Sequence, residues 1–142
     1  MDKILRRVIN PNEWVSKDLS LLIYRVFISM AMIKVHGIKK LLDFQGTVDN
    51  IPDPLGFGGE FAAVIAIVAN VLAPVFIIFG LLTRVSILPI LGVTLMGFFI
   101  VHGSDPWSVR DVPLMYSLAY MFLFMMGPGK YSLDHYLSQK NK

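Results

Sequence analysis

Residues 61–82 read FAAVIAIVANVLAPVFIIFGLL and carry no charged side chain. A helix needs about 20 apolar residues to cross the hydrocarbon core of a bilayer, so this stretch, opened by Glu60, predicts a membrane span over 60–82. Just downstream, an uncharged run follows Arg84 and predicts a second crossing over 84–102. The link between them, Leu82-Thr83-Arg84, is short enough to make the two a tight hairpin. Further on, Asp111 opens a run over 111–126 that stops at Gly127-Pro128-Gly129. Upstream, LSLLIYRVFISMAMIKVHGIKKLL over 19–42 is long enough but contains Arg25, Lys34, His36, Lys39 and Lys40. Four spans predict an all-α polytopic membrane protein, a four-transmembrane-helix bundle. Pro74 and Pro89 fall inside spans two and three, where each removes a backbone hydrogen bond and should kink its helix.

Composition agrees with this reading. Of 142 residues, 55% are hydrophobic and 16% charged, against about 25% charged in soluble domains. A disordered tail, a disulfide-rich secreted module and a collagen-like fibre are excluded. There is no cysteine, so disulfides, thiolate metal sites, iron–sulfur clusters and a cysteine nucleophile are excluded as well. Electrons in any redox role must pass through a bound cofactor or a partner. The net charge is +3, but the basic residues gather near the chain ends. That points to anionic lipid headgroups and topology control rather than to nucleic acid.

Between the spans, Asp43 to Gly59 holds Gln45-Gly46, Asp49-Asn50, Pro52 and Pro54, a loop composition. His102 to Arg110, HGSDPWSVR, is a second turn-rich loop. Residues 1–18 are polar at the start and give no cleavable signal peptide; Lys3 to Trp14 fits either a short helix on the membrane surface or a loosely ordered leader. Residues 19–128 form the membrane domain, and 129–142 a tail with a short interfacial helix. Lys3, Arg6, Arg7, Lys17, Arg84, Lys130, Lys140 and Lys142 all fall on the side of the termini. By the positive-inside rule that side is cytoplasmic; Lys39 and Lys40 on the opposite flank run against it.

Charges inside a span are costly and point to function. At about 100° per residue, Arg25, Ser29, Met32, His36 and Lys40 form one stripe, opposite the apolar Phe27, Ala31 and Ile38. The stripe should face the bundle interior. His36, Lys40, Glu60, His102 and Asp111 should then gather at the outer end of the bundle, near Trp107 and Arg110, as a candidate site for ligand binding or proton exchange. Asn70 sits near mid-membrane. Interfacial anchoring is the competing reading for Lys39, Lys40, Glu60, Trp107 and Arg110, and a structural role for Arg25. Two histidines without a third well-placed ligand do not make a metal signature, and nothing in the spacing requires a haem between them. Met115, Phe122, Phe124, Met125 and Met126 read as packing or lipid contacts.

The chain resembles the DoxX family of small four-helix membrane proteins. The resemblance covers about Leu19 to Leu137 and rests on motifs in order: Leu22-Ile23-Tyr24-Arg25, His36-Gly37-Ile38-Lys39-Lys40-Leu41, Ile51-Pro52, Phe79-Gly80-Leu81-Leu82-Thr83-Arg84, His102, and Gly127-Pro128-Gly129-Lys130-Tyr131-Ser132-Leu133-Asp134. Each motif is weak alone; their order makes the match specific. Asn70 stands where members commonly carry Glu, which leaves the partner of Arg25 open. Asp111 stands where Glu is frequent. The resemblance implies the fold strongly and the chemistry weakly. The family is named for a subunit linked with thiosulfate:quinone oxidoreduction, and other members are associated with membrane redox or oxidative-stress systems.

Three functional expectations follow. The first is a component of a quinone-linked redox system in a bacterial-type inner membrane, holding a lipophilic molecule with His36, Lys40 and His102 at its polar head. The second is a non-catalytic subunit or assembly factor of a larger redox or membrane complex. The third is a small transporter or channel subunit, in which the Arg25–His36 stripe lines a hydrated path in a homo-oligomer. No catalytic residue is assigned by any of them.

Overall fold

Four helices long and apolar enough to cross a membrane form the molecule in a computed structural model that describes residues 15–140. They are α1 (Lys17–Leu42), α3 (Gly59–Phe79), α4 (Thr83–Val101) and α5 (Trp107–Met126). Two short helices lie between or after them, α2 (Phe44–Asn50) and α6 (Leu133–Lys140). No strand occurs among the described residues. The leader reading of Lys3 to Trp14 lies outside the described residues.

Helix boundaries follow local chemistry. Ser16 caps α1, its hydroxyl accepting from Leu19 N at 3.3 Å, which satisfies one of the orphan N–H donors of a helix start. Two boundaries depart from expectation. The Asp43–Gly59 loop contains α2, because Asp43 accepts from Gly46 N at 2.9 Å and acts as an N-cap inside a turn-like composition. Helix α5 begins at Trp107 rather than Asp111. Pro106 stands just before it in an extended conformation, where its missing N–H costs nothing.

The spans are not uniform α-helix. A π-helical turn occupies Ile33–Gly37 in α1, Val68–Leu72 in α3 and Gly97–Val101 in α4. Pro74 follows the α3 turn directly. With no N–H of its own it leaves the Asn70 carbonyl without the usual helical donor, and Gly37 of α1 packs against that freed carbonyl. A Cβ on Gly37 would lie 2.5 Å from Asn70 O. Pro89 and Pro113 lie inside α4 and α5.

Buried Met32, Ile77, Ile87, Ile90, Tyr120 and Leu123 form the core. Along α3 the buried residues Ala63, Ala66, Ala69 and Ala73 are small, which lets neighbouring backbones approach. Exposed Phe27, Val35, Leu88, Phe99, Leu118 and Met125 distribute apolar surface over all four spans, as contact with lipid tails requires.

The bundle is two pairs of helices. α1 packs on α3, and α4 on α5, along their lengths. Between the pairs, packing is close where Ala73–Phe79 of α3 meets α4, in the half that holds the described chain ends, and sparse toward the opposite half.

Candidate functional site

The polar stripe on α1 divides between the two ends of the bundle. Arg25 is buried, at 2% exposure, and reaches out of α1 to the loop after α5. Its Nη1 donates to Pro128 O at 2.5 Å, and its Nη2 donates to Tyr131 O. The partner of Arg25 is therefore the backbone of the tail, and Asn70 bonds to it nowhere. Gly80 makes room for this guanidinium: its φ is +67°, and a Cβ there would lie 2.5 Å from Ser132 Cβ and 2.9 Å from Arg25 Nη1. Asp134 completes the clasp. Its carboxylate accepts from Leu82 N at 2.7 Å and Thr83 N at 2.9 Å, capping α4 from a distant part of the chain. Asp18 Oδ1 accepts from Lys130 N at 2.9 Å. The first-span Arg, the Gly-Leu-Leu-Thr-Arg turn and the Gly-Pro-Gly segment thus meet as one structural fastening.

At the opposite end, where the helix pairs part, lies a cavity of about 610 Å³. Its volume suits a small-molecule site. Three of the expected site residues, His36, Lys40 and His102, line it. Asn70 lines it at depth, and Asp53, Leu55 and Phe57 of the α2–α3 connection cover its outer end. Glu60 and Asp111 are exposed and stand off the cavity wall, in positions typical of interfacial charges near the ends of spans.

Each lining polar group is held by its surroundings. His36 lies in the π-helical turn of α1, and its ring meets Tyr116 of α5 edge-on at 5.2 Å between centroids. This contact bridges the two helix pairs. Lys40 Nζ donates to His36 O at 2.7 Å, so the ammonium folds back along the helix and keeps further protons available. His102 Nδ1 lies 2.7 Å from Asp105 Oδ2, which orients the imidazole. Deeper in, Thr94 Oγ1 donates to Ile90 O at 2.9 Å and accepts from Ser117 Oγ at 2.8 Å, tying α4 to α5. Above the cavity the Arg110 guanidinium stacks on Phe98 at 4.6 Å and Trp107 at 5.0 Å. Among the described residues no cluster of three His, Cys, Asp or Glu is placed to hold a metal ion.

Tyr116 and Gly92 are lining residues that the sequence reading missed. A tyrosine within the Met- and Phe-rich fourth span was the available signal for the first. At Gly92 a Cβ would meet no atom within 4 Å, because it faces the gap between the helix pairs.

A family model described as DoxX matches residues 20–103, more than half of the chain. The chain is 28% identical over 128 residues to the inner membrane protein YqjF of Escherichia coli, covering 87% of this chain and 96% of that protein. It is 27% identical over 128 residues to a Haemophilus influenzae protein described only as uncharacterized, covering 84% of each. No solved structure matches it.

Proposed function

The chain belongs to the DoxX family, and from that premise we propose that it is an inner-membrane component of a quinone-linked redox system, holding the quinone in the cavity between its helix pairs. One observation carries the reading: a cavity of about 610 Å³ with largely apolar walls has His36, Lys40 and His102 on its lining. Apolar walls bind a ring by removing its surface from water. Lys40 supplies charged donors to a carbonyl or developing oxyanion, and the ring nitrogens of His36 and His102 can donate or accept hydrogen bonds. With Nδ1–H given to Asp105, the neutral His102 ring keeps Nε2 as an acceptor. When bound, a quinone supplies the electron-accepting chemistry; the chain's part is to bind, orient and exchange protons. YqjF, an inner membrane protein similar over almost its full length, supports the location. Basic Lys17, Arg84, Lys130 and Lys140 at the end holding the described termini support a cytoplasmic position for that end.

A second reading, an accessory subunit of a larger complex, draws on the small size of the parts outside the spans. Among the described residues these are short connections apart from α2 and α6, and on this reading a partner carries the chemistry.

The test is titration of a short-tailed ubiquinone analogue onto the full chain in nanodiscs. Lys40→Met should weaken binding about tenfold or more, because a hydrogen bond from a charged donor contributes about 1.5–3 kcal/mol. His36→Ala together with His102→Ala should abolish saturable binding. Unchanged affinity in both variants would remove the site; an intact wild-type chain that binds no quinone but brings down a stoichiometric larger subunit would move the reading to the accessory role.

A further inference from the structure

The cavity has a side as well as an end. Along α4 its wall runs from His102 inward to Pro89, ~20 Å at 1.5 Å per residue. A ring headgroup bonded to Lys40 and the histidines would fill only the outer part. The remaining wall is mainly apolar and built from small or flat residues, including Ala62, Ala66, Pro89 and Gly92. Thr94, at this depth, has its hydroxyl bonded to Ile90 O and Ser117, while Asn70 and Tyr116 bring the other polar side chains to this part of the lining.

Several lining residues are also exposed, among them Ile65 on α3, at 39%, and Gly92 on α4. These two lie on neighbouring spans, and the small Ala62 and Ala66 lie beside Ile65. Gly92 has open space where a side chain would be. At this depth the medium outside the helices is hydrocarbon, so an opening here would join the cavity to the acyl-chain region and not to water.

We propose that the gap between α3 and α4, flanked by Ile65 and Gly92, is a lateral portal through which the hydrocarbon chain of the bound molecule passes between cavity and bilayer. The ligand class is then a long-tailed amphiphile whose oxygen-bearing head meets His36, Lys40 and His102 while its tail lies in the portal. This rests on the ligand-cavity reading above and extends it from a ring to a tailed lipid. A portal of this kind lets a molecule too apolar to cross water enter directly from the membrane.

The test uses the full chain in nanodiscs with two photoreactive probes: a ubiquinone analogue carrying a diazirine at the end of a decyl tail, and a phosphatidylcholine carrying a diazirine in one acyl chain. Crosslinks are mapped by mass spectrometry. The expected result is labelling by the quinone probe at the inner wall, at Ala66, Asn70 or Gly92. Gly92→Phe should remove the labelling of Ala66 and Asn70 while the outward-facing Leu88, 55% exposed, is labelled as before; Gly92→Ala should leave the pattern intact. Ile65→Trp gives an independent block if the phenylalanine variant fails to fold. Labelling of the outer face alone by both probes would overturn the portal, as would an inner-wall pattern indifferent to both blocking variants. Inner-wall labelling by the phospholipid probe alone, lost in the blocked variants, would uphold the portal and overturn the quinone reading.

Discussion

At the scale of single residues, the central relation is between Gly37, Asn70 and Pro74. Proline frees a carbonyl in α3, and glycine in α1 fits against it. Gly37→Ala would gain about 1 kcal/mol of helix propensity. It would also force a Cβ to 2.5 Å from a backbone oxygen, and overpacking of this sort costs about 1–3 kcal/mol; because the obstacle is backbone, repulsion wins. Gly37→Ala should lower the thermal unfolding midpoint in detergent and disturb His36 beside it, and Gly37→Val should do so more. Arg25 gives a contrasting expectation. It fastens the tail through Pro128 O and Tyr131 O, remote from the cavity. Arg25→Met, which retains much of the volume, should therefore speed tryptic cleavage after Lys130 while quinone affinity stays unchanged. The helical stripe that sets Arg25 and His36 on one face was legible from 100° periodicity alone. What each residue touches was not, since the partners of Arg25 lie 103 and 106 residues away and no local pattern encodes such a meeting.

At the scale of elements, charge-free length was enough to find the second and third spans, and apolar length despite internal charges the first and fourth, because the bilayer imposes a minimum apolar run. Their ends were less legible. Asp43 starts α2 within a loop-like composition, and Asp134 caps α4 from beyond α5; capping across the chain leaves no signature near the helix it caps. Asp134→Ala should cost about 1–2 kcal/mol, the range for lost N-caps, seen as a lowered unfolding midpoint, and Asp134→Asn should recover part of it. The π-helical turns were also hidden. Proline predicted irregularity in α3 and α4, but the turn at Ile33–Gly37 lies in a helix with no proline, and packing against the Asn70 carbonyl is the contact it serves.

At the scale of the whole molecule, the bundle is fastened at one end by the Arg25 and Asp134 clasp and parted at the other by the cavity. Sequence placed five ionisable residues at that far end; the fold brings His36, Lys40 and His102 onto the lining of one cavity and leaves Glu60 and Asp111 outside it. The difference is rotational: helix ends share a depth, but only packing decides which side chains turn inward. Topology can be read with single cysteines, since the chain has none of its own. A membrane-impermeant maleimide should label Ser104→Cys from outside intact spheroplasts and Ser138→Cys only after lysis. The most direct measurement of the central claim is mass spectrometry of the small molecules extracted from the full chain purified gently from its native membrane. A stoichiometric quinone in the wild type, reduced in Lys40→Met and retained in Arg25→Met, is the predicted result. A wild-type protein free of quinone, or one whose quinone content is the same in all three, would contradict it.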